Sequence, residues 1–433
     1  MKVDNFQLLR EYDNGYCGLH PWPTFINQHT RKQIENTAIS LANLIASLPQ
    51  RLFSNDPREI SRYYKFKEDD VMYFLLGYLE DHMKNLFSRG DFILSPSGLK
   101  CLEYNIAANL GGWDMPLWHS LYLQNPIIAE FIREYDVNVA KENNLVSSLF
   151  RSVIDTGLKK LPASGKEMNI AIVEEGKKNP LEWSDKESYV ARTYKNLLQE
   201  RYKGLEGETI ICDYPHLETK RGGVFFRDKK IHAIIEYSTK YTPLVLLTAF
   251  QMGDVLLYNG SISTLVSNKL NLALLSEYKD SRYFSPEEKK IIETHVPWTR
   301  KISDCQTRYQ DETVNLPDFI RSNRENLVIK PADGLGGEKV YVGMYTSQVQ
   351  WEKALAEALN QGNWLVQEYI KPVSMLYQDG RDSCCLHDTV WGIFTFGSHY
   401  GGGFLRVMPE KNGNGVINCL QGATPSLLIE VEE

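Results

Sequence analysis

A glycine-rich stretch in the last third of the sequence has the composition of an anion-binding loop. It is Lys-Pro-Ala-Asp-Gly-Leu-Gly-Gly-Glu, residues 330–338. Its three glycines lack a Cβ atom and accept positive φ angles, so several backbone N–H groups could converge on a phosphate, and Lys330 adds a positive charge. No Gly-Lys-Ser/Thr follows and the loop leads into a strand, which excludes a Walker A loop and a dinucleotide fingerprint. The stretch indicates either a phosphate-binding loop or an ordinary hairpin tip.

A second group of polar residues is spaced to share one surface of a β-hairpin. Apolar strands flank Ser-Pro-Ser-Gly at residues 95–98, which predicts a turn near residue 97. Antiparallel pairing then sets Asp91 opposite Glu103 and Arg89 opposite Asn105, and the period of two puts all four on one face. Facing carboxylates repel, so a cation between them would stabilise the pair, and oxygen ligands suit Mg²⁺. The alternative is a solvated hairpin face on which the arginine balances the acids.

Polar residues also follow predicted strands further along the chain. The order strand, helix, strand between residues 168 and 213 predicts a parallel α/β unit, whose ligands collect at the carboxyl ends of its strands. A substrate edge is therefore predicted near four side chains, those of Glu174, Glu175, Asp213 and His216. His216 is also explained as a surface or turn residue.

A lysine at the start of a predicted helix is a further phosphate candidate. Ser267-Asn268-Lys269 precedes an apolar helical run, and either of the first two residues can cap it. In the first helical turn the dipole disfavours a cation but helps to hold an anion, so Lys269 hints at a phosphate contact.

Helical periodicity predicts the N-terminal framework. Apolar residues at three-to-four spacing predict a helix over residues 30–48 that ends before Pro49. A second helix is predicted to begin at Asp69 or Asp70, which suit an N-cap, and to run toward Lys84.

The sequence also predicts a small mobile lobe and three domains. Strand, glycine tip, strand, helix and strand between residues 327 and 370 outline an α+β lobe that could fold over a nucleotide. A composition shift at residues 162–166 suggests a boundary. We predict an N-terminal helical region with the carboxylate hairpin (1–163), an α/β substrate-binding domain (164–300), and a lid lobe with the remaining core strands (301–433).

Composition limits the class of protein. The 433 residues carry 48 basic and 55 acidic side chains, a formal charge of −7, which argues against a nucleic-acid surface. No apolar run approaches the roughly 20 residues that span a bilayer, and the N-terminus lacks the apolar core of a signal peptide. The seven cysteines are scattered, without a C-x-x-C pair, which predicts reduced thiols rather than a disulfide framework or zinc site. We expect a cytoplasmic enzyme that binds neither membrane nor nucleic acid.

Taken together, five stretches resemble the circularly permuted ATP-grasp ligases, in particular the eukaryotic-type glutathione synthetases and the synthetase part of glutathionylspermidine synthetase. The resemblance covers roughly residues 86–113 and 255–420, and the carboxylate strand precedes the nucleotide lobe, as in the permuted members. The stretches are Glu103-Tyr-Asn105 with the following Gly-Gly at 111–112, Ser267-Asn-Lys269, Val328-Ile-Lys330-Pro331 with its glycine loop, Leu365-Val-Gln-Glu-Tyr-Ile370, and Phe404-Leu-Arg406-Val407. The implied fold class is α/β, or α+β overall, with a small lid lobe and a parallel substrate domain.

The resemblance implies roles for individual residues. Mg²⁺ would be held by Glu103 and Asn105. Where the glutathione synthetases take a third ligand, a Glu, from the glycine loop, this sequence has Asp333 and Gly334, so the third ligand is Asp91, Asp333 or both. ATP would be bound by the phosphate lysines, the glycine loop and main-chain groups near the adenine, which are Lys269, Lys330, Gly334, Gly336, Gly337, Gln367, Glu368, Tyr369 and Ile370. The catalytic set would be Lys330 with Arg89 and Arg406, the two arginines binding the carboxylate substrate or its acyl phosphate. Residues 413–417 would close over the acceptor pocket.

The implied activity is ATP-dependent ligation of a carboxylate and an amine through an acyl phosphate, with ATP and Mg²⁺ as cofactors. An amino acid, a peptide or a polyamine are all compatible substrates, and a homodimer is compatible although no residue supports it. Two alternatives remain open at this point: a kinase-like ATP-grasp phosphotransferase, and a non-catalytic member that binds a nucleotide or partner.

Overall fold

The computed structural model describes residues 18–140, 144–161, 166–180, 182, 184–220, 222–238, 241–334, 336–378, 384–410 and 414–432. Two predicted loop positions, Leu335 and Gly413, lie outside these ranges.

The described helices concentrate in the first third of the chain and around the two smaller four-stranded sheets. They are α1 Gln28–Phe53, α2 Pro57–Tyr64, α3 Glu68–Leu75, α4 Glu80–Met83, α5 Met115–Gln124, α6 Pro126–Glu134, α7 Leu145–Lys160, α8 Asp185–Arg201, α9 Leu244–Gln251, α10 Ser263–Val266, α11 Leu270–Tyr278, α12 Pro286–His295, α13 Leu316–Ser322 and α14 Gln348–Gln361.

The strands form one large sheet, two sheets of four strands and two small ribbons. They are β1 Thr24–Asn27, β2 Phe87–Ser95, β3 Gly98–Ile106, β4 Ile170–Glu174, β5 Thr209–Cys212, β6 Leu217–Lys220, β7 Gly223–Phe226, β8 Lys229–Ile231, β9 Ala233–Ser238, β10 Leu256–Tyr258, β11 Thr299–Lys301, β12 Gln306–Tyr309, β13 Glu312–Asn315, β14 Leu327–Pro331, β15 Tyr341–Val342, β16 Trp364–Glu368, β17 Met375–Gln378, β18 Cys384–Phe396, β19 His399–Pro409 and β20 Thr424–Val431.

The large sheet joins the two ends of the chain. Its order is β1-β20-β19-β18-β2-β3, with β17 added to β18, and only the β1–β20 pair within it is parallel. Because β18 pairs with β2, a strand that begins at Cys384, late in the sequence, lies beside the predicted carboxylate hairpin. Residues far apart in sequence therefore share one sheet face.

The second sheet confirms the predicted parallel α/β unit. Its order is β10-β9-β4-β5 and every pair is parallel. Strands β4 and β5 are connected through α8, which begins with a capping box at Ser184 and Glu187. The sheet is buried on both faces, as parallel sheets generally are.

The third sheet belongs to the predicted small lobe. Its order is β11-β16-β14-β15, and every pair is antiparallel. Helix α14 packs on this sheet; Ser347 is its N-cap, and Gly362, in the left-handed conformation, is its C-cap. A separate apolar cluster, which includes Trp351 and Trp364, fills its interior. The strand after the glycine loop is short, because Lys339 has a left-handed φ of 53° and only Tyr341–Val342 pair with β14.

Two predictions for the N-terminal helices are wrong at their ends. Helix α1 continues through Pro49 to Phe53; a proline ring forfeits one helical hydrogen bond, but Leu48 and Pro49 are buried on the packed face, which outweighs that loss. The helix expected from Asp69 or Asp70 to Lys84 begins at Glu68, with both aspartates in its first turn, and ends at Leu75. Gly77 follows, and its poor helix propensity separates α3 from α4.

No helix in the described ranges combines the length and the apolar character needed to cross a membrane. Six cysteines lie in these ranges and all six are free thiols.

Candidate active site

The β2–β3 hairpin has the register that the sequence predicts. Arg89 pairs with Asn105 and Asp91 with Glu103, and a bulge follows Asp91. The turn lies at residues 96–97, where Ser95 Oγ accepts a hydrogen bond from the Ser97 N–H at 3.2 Å. The four polar residues consequently share one face of the hairpin, as period-two alternation requires.

Asp91 is buried between two arginines. Its side chain is only 2% exposed, Arg89 Nε lies 2.8 Å from Oδ1 and Arg406 Nη2 lies 2.9 Å from Oδ2. Arg89 Nη2 and Asn105 Nδ2 also donate to Oδ2, at 3.0 and 3.3 Å. The repulsion expected between the facing carboxylates is therefore relieved by protein cations.

Glu103 faces the two lysines predicted to bind phosphate. Lys269 Nζ lies 3.5 Å from Glu103 Oε2. Burial alone raises the pKa of Glu103, but the positive charges of Lys269 and Lys330 outweigh it and hold that pKa well below its ordinary value. Glu103 is thus a carboxylate at neutral pH, 27% exposed at the mouth of the site.

Lys330 lies at the end of β14 with its ammonium buried. The residue is 6% exposed, and Nζ donates to the Leu102 carbonyl at 2.7 Å and to Gln367 Oε1 at 3.0 Å. Burial, with a smaller contribution from Lys269 against the opposing effect of Glu103, lowers the pKa of Lys330 to about 8. Lys330 is therefore mostly charged at pH 7, and Glu103 balances its positive charge only in part. This suits the ammonium group to an anionic ligand.

Lys269 stands just before α11 rather than in its first turn. It occupies the N-cap position, and Asn268 Oδ1 accepts a hydrogen bond from the Leu270 N–H at 3.0 Å. Lys269 Nζ also donates to the Gly334 carbonyl. The N-cap is thus Lys269 rather than the predicted Asn268 or Ser267, and the Lys269 side chain links the glycine loop to the carboxylate hairpin.

A cavity of about 110 Å³ separates the hairpin from the small lobe. Predicted residues from both sides line it: Asp91, Glu103, Lys330, Gly337, Gln367, Glu368, Tyr369, Ile370 and Arg406. Arg406 is 8% exposed at its side chain, and its Nε and Nη2 atoms make no well-directed hydrogen bond to any described residue, although Nη2 is close to Asp91. Buried donors without acceptors are costly, so these atoms mark a place for an anion.

The glycine loop and the C-terminal segment meet over this cavity. Gly336 and Gly337 have φ angles of 63° and 80°. A Cβ atom on Gly336 would lie 2.7 Å from Leu420 Cδ1, and one on Gly337 would lie 2.8 Å from Val416 Cγ1. The positive φ angles favour glycine at both positions, and the loop packs closely against residues 416–420.

The segment predicted to meet adenine forms the end of β16 and the turn after it. Two of its N–H groups are already used, because Glu368 N–H donates to the Trp298 carbonyl at 2.8 Å and Tyr369 N–H donates to the Asn326 carbonyl at 2.7 Å. The side chains of Val328, Val342 and Val390 add an apolar wall beside it. An aromatic base would meet apolar surface there, together with the carbonyl groups of the turn.

The predicted magnesium ligands fit a metal only in part. Asp91 accepts hydrogen bonds from Arg89 and from the Asn105 amide and forms an ion pair with Arg406, which leaves its oxygens little capacity, and Asp333 is exposed at the start of the glycine loop. Across the ranges described, no three His, Cys, Asp or Glu side chains gather into a preformed metal site. Glu103, with Asn105 beside it, fits Mg²⁺ that brings phosphate oxygens and water as its other ligands, as Mg²⁺ commonly does.

A larger cavity, of about 710 Å³, lies at the carboxyl edge of the parallel sheet. Glu174 and Glu175 line it, as predicted, together with Lys177 and two aromatic residues that sequence reasoning missed, Trp113 and Tyr237. The two rings meet edge to face with centroids 5.9 Å apart. In the sequence, the Gly111-Gly112-Trp113 motif shortly after the hairpin is the signal that could have identified Trp113 as part of this wall.

Asp213 and His216 do not line that cavity but stabilise its rim. Asp213 Oδ2 accepts from the Gly176 N–H at 2.9 Å, and its Oδ1 caps the turn at Tyr214. His216 Nδ1 accepts from the Asp213 N–H at 3.2 Å. The turn explanation that sequence analysis left open for His216 agrees with this geometry.

Comparison with solved structures identifies the fold, whereas comparison by sequence finds no match. No protein-family model and no curated protein matches the chain. Among solved structures, a glutathione synthetase-like effector from Globodera pallida, in its apo form, matches with a TM-score of 0.58 at 11% identity, over 95% of this chain and 90% of that one. The chain has a glutathione synthetase-like fold. A protein from Methylobacillus flagellatus KT named for gamma-glutamylcysteine synthetase covers 89% of this chain and 88% of its own, at 12% identity, but its TM-score of 0.39 carries no argument.

The glutathione synthetase-like fold confirms the predicted fold class, a mixed α/β chain. At 11% identity the likeness concerns the fold alone.

Proposed function

We propose that this chain is an ATP-dependent carboxylate–amine ligase. One observation carries the proposal: Lys330, Arg406 and Glu103, from three different strands, face one cavity that is bounded by the turn after β16. Two cations, a carboxylate and an apolar wall are the groups that a nucleotide triphosphate and a carboxylate substrate require together.

The proposed reaction has two steps. A substrate carboxylate oxygen attacks the γ-phosphorus of ATP, which forms an acyl phosphate and breaks the bond to ADP. An amine then attacks the acyl carbon, so that the amide forms, inorganic phosphate leaves with the electron pair of the broken C–O bond, and the amine releases a proton. Magnesium, when bound with the nucleotide, would neutralise phosphate charge, and Glu103 with Asn105 would hold it.

The chain's own residues would position and shield these groups. Lys330 and Lys269 would bind phosphate oxygens, and Arg406, held in place by Asp91, would bind the substrate carboxylate and the developing acyl phosphate. The glycine loop, closed against Val416 and Leu420, would keep water from that labile intermediate. Because about 110 Å³ is below the usual size of a ligand cavity, we expect the small lobe to open before ATP enters.

The 710 Å³ cavity is the proposed substrate pocket. The Leu110 carbonyl accepts a hydrogen bond from Arg89 Nη1, and Trp113, three residues later, lines the cavity. Three residues span at most about 10 Å, so the pocket opens close to the proposed reacting groups. Its aromatic and acidic walls suit a substrate that carries an amino group.

One observation favours a second candidate, a protein that binds a nucleotide or a partner without turnover. Asp91 is saturated by protein donors, so the site offers fewer oxygen ligands to a metal than the sequence predicted.

Hydroxylamine trapping distinguishes the candidates. Purified protein is incubated with ATP, Mg²⁺ and hydroxylamine across a panel of amino acids and short peptides, and ADP and hydroxamate are measured. A hydroxamate in equal amount to ADP from one acid shows that this carboxylate is activated and names the donor, and an amide formed with an amine in place of hydroxylamine establishes the ligase. ADP with a stable phosphorylated product points to a kinase, and ATP binding without either product points to the non-catalytic candidate. Gln348→Met, a change at an exposed position on α14, is the control variant and should behave like the unchanged protein.

A further inference from the structure

A buried chain of hydrogen bonds leads from Lys330 into the small lobe. Lys330 Nζ donates to Gln367 Oε1 at 3.0 Å, and Gln367 Nε2 donates to Thr299 Oγ1 at 3.1 Å. Thr299 Oγ1 donates to the Pro297 carbonyl at 2.8 Å. Gln367 is 1% exposed and Thr299 is fully buried, so water cannot replace either partner.

The chain runs in one direction only. An ammonium can only donate, so the amide oxygen of Gln367 must face Lys330 and its NH₂ must face Thr299. A carbonyl can only accept, so the single hydroxyl proton of Thr299 points to Pro297 and its oxygen is left to accept from Gln367. Each donor and acceptor is thus assigned by chemistry, and the glutamine side chain has one orientation.

Strand register builds this chain. Thr299 of β11 pairs directly with Gln367 of β16, and Lys330 of β14 pairs with Leu365, two residues from Gln367. Direct and diagonal partners on one sheet face lie within contact distance. The far end is anchored as well, because Thr299 N–H donates to Ser276 Oγ at 2.9 Å, which joins the small lobe to α11.

We infer that Gln367 is a positioning residue that holds the Lys330 ammonium at the wall of the cavity, and that Thr299 fixes the orientation of Gln367. The inference rests on the proposed function for its catalytic consequence. The neutral amide matters: it satisfies one Lys330 proton without cancelling the positive charge that a phosphate would need. A carboxylate at this position would compete with the phosphate for the lysine, and a hydrocarbon would leave a buried N–H without an acceptor.

The first test measures Lys330 itself and needs no turnover. Competitive acetylation with acetic anhydride is followed by mass spectrometry, and the exposed Lys353 serves as the internal standard. In Gln367→Met, which keeps the chain length but removes the acceptor, we expect Lys330 to react about tenfold faster, the equivalent of one lost charge-assisted hydrogen bond. In Gln367→Glu we expect slower reaction, because a carboxylate holds the ammonium more tightly.

Two further variants test the hydrogen bond between Gln367 and Thr299. Thr299→Val removes the hydroxyl with little change of shape and should speed acetylation by a smaller factor, whereas Thr299→Ser should match the unchanged protein. Thermal unfolding followed by circular dichroism checks that each variant is folded. If folded Gln367→Met reacts within twofold of the unchanged protein, the inference is overturned. If Gln367→Met does not fold, equal rates in Thr299→Val and Thr299→Ser overturn it instead.

A double-mutant cycle tests the catalytic consequence. Gln367→Met should lower kcat about tenfold in the otherwise unchanged protein and cause no further loss in a Lys330→Met background. An equal loss in both backgrounds would mean that Gln367 acts independently of Lys330 and would overturn the inference. If the unchanged protein turns nothing over, the proposed function fails, and the acetylation rates still decide the role of Gln367.

Discussion

Arg406 and Asp91 form an ion pair of 2.9 Å in which the side chains are only 8% and 2% exposed. Arg89 holds the other side of the same carboxylate. One buried negative charge therefore positions two positive charges, of which Arg406 lines the candidate cavity. The arrangement leaves the arginines a net positive charge, which suits an anionic substrate better than a metal ion.

Replacing Asp91 by Asn should destabilise the protein and disable the site. Breaking a buried ion pair from one side leaves charge uncompensated, and we expect about 3 kcal/mol of lost unfolding free energy, measured by urea denaturation. The control is Glu59→Gln, which breaks an exposed pair with Arg62 and should cost less than about 1 kcal/mol. Equal losses in the two variants would contradict the role given to Asp91.

Lys330→Met and Glu103→Gln should each reduce the rate at least about 100-fold, the scale of one lost electrostatic contact. The rate is that of ADP formation with the donor acid found by hydroxamate trapping. Both variants should keep the melting temperature of the parent within a few degrees. Near-normal turnover in either variant would remove that residue from the proposed site.

Gly337→Ala should impair the closed glycine loop, whereas Gly98→Ala should only cost stability. Both glycines have left-handed φ angles, 80° and 97°, but a Cβ on Gly337 would lie 2.8 Å from Val416 and a Cβ on Gly98 would meet open space. We expect a loss of about 1 kcal/mol of stability in each and a loss of ATP turnover only in the first. Adding Val416→Ala to Gly337→Ala should restore part of the turnover, and no recovery would argue against loop closure on this segment.

Glu236 should make stability depend on pH. It is 4% exposed, hydrogen-bonded to Tyr214 and Thr242, and burial raises its pKa from 4.5 to about 7. Between these values the unfolded chain is ionised while the folded protein keeps the proton, so stability falls as pH rises and is constant above about 7. The loss corresponds to roughly 3 kcal/mol.

The isosteric variant Glu236→Gln isolates this contribution. The urea midpoints at pH 5 and pH 8 should differ less in Glu236→Gln than in the parent, because the variant lacks the pH-dependent contribution of Glu236. The same pH dependence in both proteins would show that other groups cause it.

Local patterns determined several elements of the fold correctly. The turn near residue 97 and the alternation of β2 and β3 set the hairpin register, because period and turn are local properties. The helix expected between the strands of the 327–370 lobe forms as α14, which Ser347 caps. The ends of α1 and α3 could not be predicted in the same way, since Pro49 is tolerated through packing against distant residues.

What the sequence by itself determined was which side chains share a strand face and which loops can accept an anion, because backbone geometry and residue chemistry decide both within a few residues. What only the tertiary structure decided was the partner of each charge. Asp91 meets Arg406 because β18 lies between β19 and β2 and pairs with both, and Gln367 meets Lys330 because β16 lies between β11 and β14. Such pairings depend on long-range strand order, which no local pattern in the sequence reveals.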